Sequence, residues 1–528
     1  MKKFRLTSLI CVGILCVAVC FAGCSDKAAV SDGDANTFTY WTSLPASLAT
    51  HVQSYNEVAM YQYLEEKTGV HIEFIHPAAG QENEQFNLLL ASRDFPDMIE
   101  HSWVSYSGGA QKAIDDGVII ALDSYLDNAP NFKATMTDKY ELSEIYRRNS
   151  TTDSGQYFGF TALNTGNYRV FGGPAIRRDL LEKYNLEMPV TIDDWTNVLT
   201  TFKNNGISTP MTGMISAVSN GSELPFAGAF GVAGRWYLDG DTVKYGPMED
   251  GFKDYLALMN KWYNEGLIDR DIATNQQTLI DSKIVNGDSA ALVQGYLGSA
   301  LGRYLAQKEA EDPNWDLVGA DYPVLNAGDI NEFPTMEEDV RKTNTIAITT
   351  ACKDPAKAVE WCDNLYSEEG LMLTNFGVEG KSYNMVDGKP VYVDEILKNS
   401  EGLSINEALQ LHTRATSAAP GFNQAEEYLN QYYAYEQQRE SFKKWEANTA
   451  PGRTHKMPNL FATEEERDIM TTIEADLNTY VNETLWNFIN GSESLDNYDK
   501  FIETLKNQFR IEEYQKILQN QYNRYISK

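Results

Sequence analysis

Beyond residue 24 the chain keeps only two cysteines, Cys352 and Cys362. That scarcity excludes the disulfide framework of small secreted domains, and a four-thiolate zinc site with it. One pairing is left open by arithmetic. Cys362, however, falls on an apolar helical face with Val359, Leu365 and Tyr366, which fits a small buried hydrophobe better than a bridge. Histidine is scarce too: the six residues (51, 71, 76, 101, 412 and 455) show no ligand spacing, so neither a metal centre nor a cofactor is expected. Gly-x-Ser-x-Gly, His-Glu-x-x-His and phosphate-loop patterns are missing, so no familiar hydrolase or nucleotide signature is present. Positive charge is the other shortage, with 44 Lys and Arg against 75 Asp and Glu, a net −31. A surface this acidic repels phosphate backbones, which argues against nucleic acid as a partner.

What is present starts at the first residue. Lys2, Lys3 and Arg5 precede an uncharged stretch from Leu6 to Ala22, closing on Phe21-Ala22-Gly23-Cys24. A basic head, an apolar core and small residues before the cut describe a secretory signal peptide over residues 1–23. The ending resembles a bacterial lipobox, with Phe21 where Leu is usual. Cys24 would then be diacylated and become the new N-terminus, and two acyl chains suffice for stable anchoring at the outer face of the cell membrane. Cleavage removes three bases and no acids, leaving a net −34. The small polar residues of 24–37 read as a flexible tether. No later apolar run is long enough to span a bilayer. The remaining chain exceeds the roughly 250–300 residues at which single cores stop growing, so more than one is expected.

Periodicity organises the rest. Phe38–Trp41 reads as a strand, Val58, Tyr61 and Leu64 share a helical face that Gly69 ends, and 70–75 alternate as a second strand. A helix over Glu82–Ser92 leads through Pro96 to a third strand at Asp97–Glu100. This β-α-β order implies a parallel sheet with right-handed crossovers. The pattern repeats with a strand at Tyr168–Phe171, a helix at Ile176–Tyr184 and a capping box at Thr191–Asp194. Asp239-Gly240 and Asp387-Gly388 mark hairpin turns. Asp354-Pro355 opens a helix that Gly370 ends, and the last ~65 residues carry helical stripes led by Ile473, Leu477, Val481 and Leu485.

Several of these stretches together resemble one family. Residues 61–73 (Tyr61 to Glu73), Phe95-Pro96-Asp97-Met98-Ile99, Asp116–Leu126, Ile176–Tyr184, Asn286–Val293 and Asp354–Trp361 are similar, in order, to extracellular solute-binding lipoproteins that feed carbohydrate ABC transporters, above all the long LplA-type and alginate-binding-like members. The resemblance implies an α/β fold of two periplasmic-binding-protein-like lobes (type II), each a mainly parallel sheet flanked by helices, with a helical C-terminal region. It also implies an oligosaccharide ligand, the permease subunits of an ABC transporter as partners, and a monomer. Long members often carry a calcium loop after the helix corresponding to Asp193–Asn205. Here 204–212 offers no acidic series, so no metal is carried over. The ranges expected are 38–160 with 320–394 for the first lobe and 161–319 with 395–528 for the second. Hinges are expected near Gly155–Thr165, Trp315–Pro323 and Asp394.

A sugar needs flat aromatic faces and planar polar groups, and in open parallel sheets ligands bind beyond the carboxyl ends of strands. That rule selects Trp41, then Trp103 and Tyr106, then Tyr296, with Trp236 at a hairpin and Tyr383 in a Gly-rich approach. Glu100 and Arg178 are the polar candidates. Against each stands the core reading, because most of 61 aromatics must be packing. An extracellular glycosidase would need two carboxylates ~5–10 Å apart, which the sequence does not mark. A peptide in place of the sugar stays open on the same residues. An adhesin-like surface protein is a third function class, but the β-α-β organisation favours a clefted binder.

Overall fold

A computed structural model describes residues 36–164, 169–219, 221, 224–309, 311–333, 336–400, 403–415 and 419–528. The expected signal peptide, Cys24 and nearly all of the expected tether lie outside the described residues. The strands run, in chain order, β1 (Thr37–Trp41), β2 (His71–Ile75), β3 (Met98–His101), β4 (Phe160–Asn164), β5 (Gly172–Arg177), β6 (Met211–Thr212), β7 (Trp236–Asp239), β8 (Thr242–Tyr245), β9 (Ala291–Tyr296), β10 (Leu317–Gly319), β11 (Arg341–Ile348), β12 (Tyr383–Val386), β13 (Lys389–Tyr392) and β14 (Gly421–Asn423). Two sheets organise them, one in the order β14-β4-β11-β3-β1-β2 and one in the order β10-β5-β9-β6. Hairpins β7-β8 and β12-β13 stand apart.

Apart from the edge strand β2, which exposes His71, Glu73 and Ile75, each sheet packs on both faces, and alternation along its strands sorts the side chains. In the first sheet Tyr40, Met98, Ile346 and Ile348 enter one cluster. Their neighbours Trp41, Ile99 and Ala347 enter the opposite one. In the second sheet Ile176, Ala291 and Val293 face the larger core, whereas Ala175 and Leu292 face a separate one. The long helix Glu464–Asn490 and the two that follow supply Leu477, Val481, Phe501 and Tyr514 to the larger core. The helical C-terminal region therefore covers the second sheet. Its first helix starts at the expected capping box, where Thr463 Oγ accepts from Glu466 N–H and Glu466 accepts from Thr463 N–H.

Several expectations change, among them the helix expected from Ile176, which starts at Arg178 because Ile176 and Arg177 belong to β5. The strand expected at Tyr168–Phe171 begins instead at Gly172 and runs through Gly-Gly-Pro, which reads locally as a turn. The glycines are required by packing: a Cβ on Gly173 would meet the Trp445 ring at 2.5 Å. The helix opened by Pro355 ends at Asp363, and a second helix, Glu368–Phe376, passes through Gly370. In the second sheet β5 pairs antiparallel with both β9 and β10, the latter running back toward the first sheet that the chain next enters; only β6–β9 is parallel. Finally, β14 lies in the range expected for the second lobe, yet it pairs with β4 of the first sheet. Hairpin β12-β13 shows the reverse, since Tyr383 and Tyr392 pack in a cluster with Ala175 and Leu292. The chain thus passes between the sheets after Asn164, after Gly319 and again after Asn423, where the third passage was expected near Asp394.

Both retained cysteines are free. Cys362 is fully buried, its sulfur 3.9 Å from that of Met98, and burial pushes its thiol well up. Cys352 is half-buried, and burial lifts its thiol to about 12.

A buried ion pair holds the segment before β14 onto the first sheet. Arg414 Nη1 and Nη2 each donate to a Glu100 oxygen at 2.9 Å. Tyr40 and Thr42 hydroxyls add bonds of 2.6 and 2.8 Å to the same carboxylate, and the guanidinium lies 4.7 Å over the Tyr55 ring. Burial alone would raise the Glu100 carboxyl, but Arg414 and these donors outweigh it and hold it below its usual range. Replacing Glu100→Leu leaves a buried guanidinium uncompensated and should cost about 3–5 kcal/mol in urea unfolding, most of it recovered by adding Arg414→Met. A carboxyl held low stabilises the fold above its unfolded-state value and stops doing so as acid protonates it. The stability gap between native protein and Glu100→Leu should therefore close as pH falls through and below the ordinary glutamate range.

Candidate functional site

The passages between sheets are tied to one another by charge. Glu337 accepts from Arg169 at 2.9 Å and from Arg453 Nε at 2.6 Å. Arg453 also pairs with Glu446, whose carboxyl is raised by burial. Lys456 bonds the Glu337 carbonyl at 2.6 Å and pairs with Asp339 at 2.9 Å. Asn164, the last residue of β4, donates to the Asp339 carbonyl at 2.6 Å. The two connections therefore run side by side with fixed register.

Strand direction decides which side chains meet this junction. β5 enters the second sheet from the first, so its first residue and the last residue of its antiparallel neighbour β9 lie together; Gly172 pairs with Tyr296. Tyr296 is partly exposed and stacks on Phe171, with centroids 6.1 Å apart and planes within 6°. Below it a small pocket of about 10 Å³ is lined by Met214, Gln277, Gln294 and Tyr304, among others. That volume admits about one water, so a larger ligand would sit on the Phe171–Tyr296 stack with the amides beneath it. Two aromatic faces and two side-chain amides are the chemistry that C–H faces and hydroxyls of a sugar require.

The other sequence-predicted residues are placed elsewhere. Trp41 is buried against Phe86 and His101. Trp103 is fully buried, its indole N–H donating to the Thr345 carbonyl at 3.1 Å. Tyr383 is buried beside Phe376. These three serve as packing, because helix Glu82–Ser92, the segment around Phe461 and the β12-β13 hairpin cover the strand ends that the sequence leaves open. Glu100 is saturated by Arg414 and the two hydroxyls. Tyr106 donates to Asp116 at 2.9 Å, and burial together with that carboxylate pushes its hydroxyl up to about 12. Arg178 is held on the surface by Asp316 and Glu440. Trp236 stacks on Tyr514 of the last helix at 5.5 Å and 12°. Of the eight candidates, only Tyr296 stands at the junction. Phe171, Gln277 and Gln294, beside it, were not among the sequence candidates; an aromatic immediately before Gly172-Gly173 was the available signal for the first. Among the described residues no group of His, Cys, Asp and Glu is placed to hold a metal ion, and no helix is long and apolar enough to cross a membrane.

Comparison with known proteins gives a consistent picture. The chain is 27% identical over 508 residues to the fructooligosaccharide ABC transporter substrate-binding protein FusA of Streptococcus pneumoniae serotype 4, covering 89% of this chain and 87% of that one. It is 25% identical over 386 residues to lipoprotein LipO of Bacillus subtilis, covering 70% and 72%. Among solved structures, alginate-binding protein AlgQ2 without calcium ion superposes with a TM-score of 0.67 at 22% identity, covering 92% of this chain and 98% of that one. FusA in complex with kestose gives 0.66 at 21%, covering 93% and 99%. These structures share the two-lobed fold. The profile of the bacterial extracellular solute-binding proteins matches residues 46–372, and the chain belongs to that family.

Proposed function

We propose that the protein captures an oligosaccharide between its two lobes and hands it, chemically unchanged, to the permease of an ABC transporter. The observation that carries this reading is the Phe171–Tyr296 stack above Gln294 and Gln277, standing where the chain passes between sheets. FusA, similar over most of the chain, is named for fructooligosaccharide and was solved with kestose. A ligand touching both lobes only when they are shut shifts the opening equilibrium by its differential affinity. We assign the first lobe to the segments around β1–β4, β11 and β14, and the second to the segment from β5 to β10 with the C-terminal helices. Phe171, Gln277, Gln294 and Tyr296 are the proposed ligand contacts. Catalysis is not part of the reading: Glu100, the carboxylate predicted at a strand end, already has its oxygens filled by internal donors.

The same reading makes the protein a monomer held at the outer membrane face through acylated Cys24, supported by the sequence ending Ala22-Gly23-Cys24 and by the relative named as a lipoprotein. Cys24→Ser should move the protein from the membrane fraction to the medium, as read by immunoblot; a variant that stays membrane-bound overturns the anchor.

Tryptophan fluorescence titrated against neutral glycans, kestose included, should show saturable binding with no product released. Tyr296→Ala should weaken that binding about ten- to a hundredfold at an unchanged melting temperature, the loss expected for one stacked aromatic face. Cleavage of any glycan, or saturable binding untouched by the substitution, overturns the assignment.

A further inference from the structure

A second cavity, of about 330 Å³, lies against the other side of the junction and shares no lining residue with the pocket at the end of β9. Its walls come from three places. Ile145 and Arg148 stand on the helix Ser143–Ser150 beside the first sheet, Arg169 and Glu337 on the passages, and Tyr522 and Tyr525 on the last helix. The volume falls within the range that ligands occupy, and the walls are largely apolar with a few convergent polar groups.

The polar groups have a bias. Arg148, Arg169, Arg453 and Lys456 line the cavity against Glu337 and Asp339, an excess of cations in a chain of net −31. Glu144 and Glu446 pair with Arg148 and Arg453 without lining it; the Glu144 partner is largely exposed, so a competing anion can displace it at little cost. Among the described residues, the Nε atoms of Arg148 and Arg169 are buried with no hydrogen-bond acceptor, and Asn149 Oδ1 with no donor. The Arg148 guanidinium also lies over the Tyr525 ring at 5.9 Å, which holds it beside the aromatic wall. Two guanidinium donors lacking an oxygen, next to two tyrosine rings and aliphatic side chains, fit a small organic acid: a carboxylate or sulfonate on an apolar body.

We propose that this cavity is a second ligand site, taking a small amphipathic organic anion, distinct from the site assigned to the oligosaccharide. The test uses the full chain and 8-anilinonaphthalene-1-sulfonate, whose emission rises on entering a dry cavity and whose binding needs no cargo, so the transport reading and this one fail separately. Saturable binding with one-to-one stoichiometry is expected. Ile145 is 37% exposed, so Ile145→Trp fills the cavity without disturbing the core, and it should weaken binding about tenfold or more. Arg148→Met keeps an unbranched apolar stem and removes the cation, and it should weaken binding to a similar degree at an unchanged melting temperature. Emission that never saturates, or an affinity unchanged in Ile145→Trp, overturns the site. An affinity lowered by Ile145→Trp but unchanged by Arg148→Met overturns the anionic class of ligand.

Discussion

Two guanidinium groups share one carboxylate, Glu337, at the place where the polypeptide leaves one sheet for the other. Ions removed from water are tolerated only when each finds its counter-charge with good geometry. The arrangement therefore dictates how Arg169, Glu337 and Arg453 must lie, and those three residues belong to three separate stretches of chain. Close to that junction β5 begins, β9 ends opposite it, and Tyr296 rests partly exposed rather than inside a core. A different register would leave at least one charge alone in a dry place.

The aromatic side chains illustrate how a fold leaves some rings sealed in packing and others partly open, the open pair being the one proposed for recognition. Trp41 and Trp103 close over the first sheet with Phe86 and Phe461, and the Trp103 indole N–H is satisfied by backbone. Their surface is fully spent on packing. Phe171 and Tyr296 instead form a parallel pair that remains partly open. Amides rather than charges lie beneath it, which suits a neutral hydroxylated ligand, since an amide both donates and accepts.

Local chemistry made much of the architecture readable in advance. The helix Glu82–Ser92, the capping boxes at Thr191 and Thr463, and the turns at Asp239-Gly240 and Asp387-Gly388 all appear where short-range preferences place them. Asp387 and Gly388 both take positive φ, as that tight turn demands. What could not be read depends on distant partners. Nothing near Glu100 announces Arg414, and nothing near Trp103 announces Phe461. Gly172-Gly173 reads locally as a break and becomes a strand only because Trp445 needs the room. The partly exposed place of Tyr296 at a strand end was legible because the strand-end rule concerns direction, which survives errors in detail; Trp41 is buried because that rule does not foresee what later covers a strand end.

Membership in an extracellular family gives the two free thiols a further meaning. Oxidising surroundings turn accessible thiolates into cross-links between molecules. Cys362 is sealed from water against Met98, and Cys352 sits where its proton is held tightly, so almost none of it ionises near neutrality. Neither described thiol is therefore poised for exchange with stray sulfur compounds or with a neighbouring molecule. Burial, complete for one and partial for the other, does this work without a bridge between the two to reduce or reshuffle.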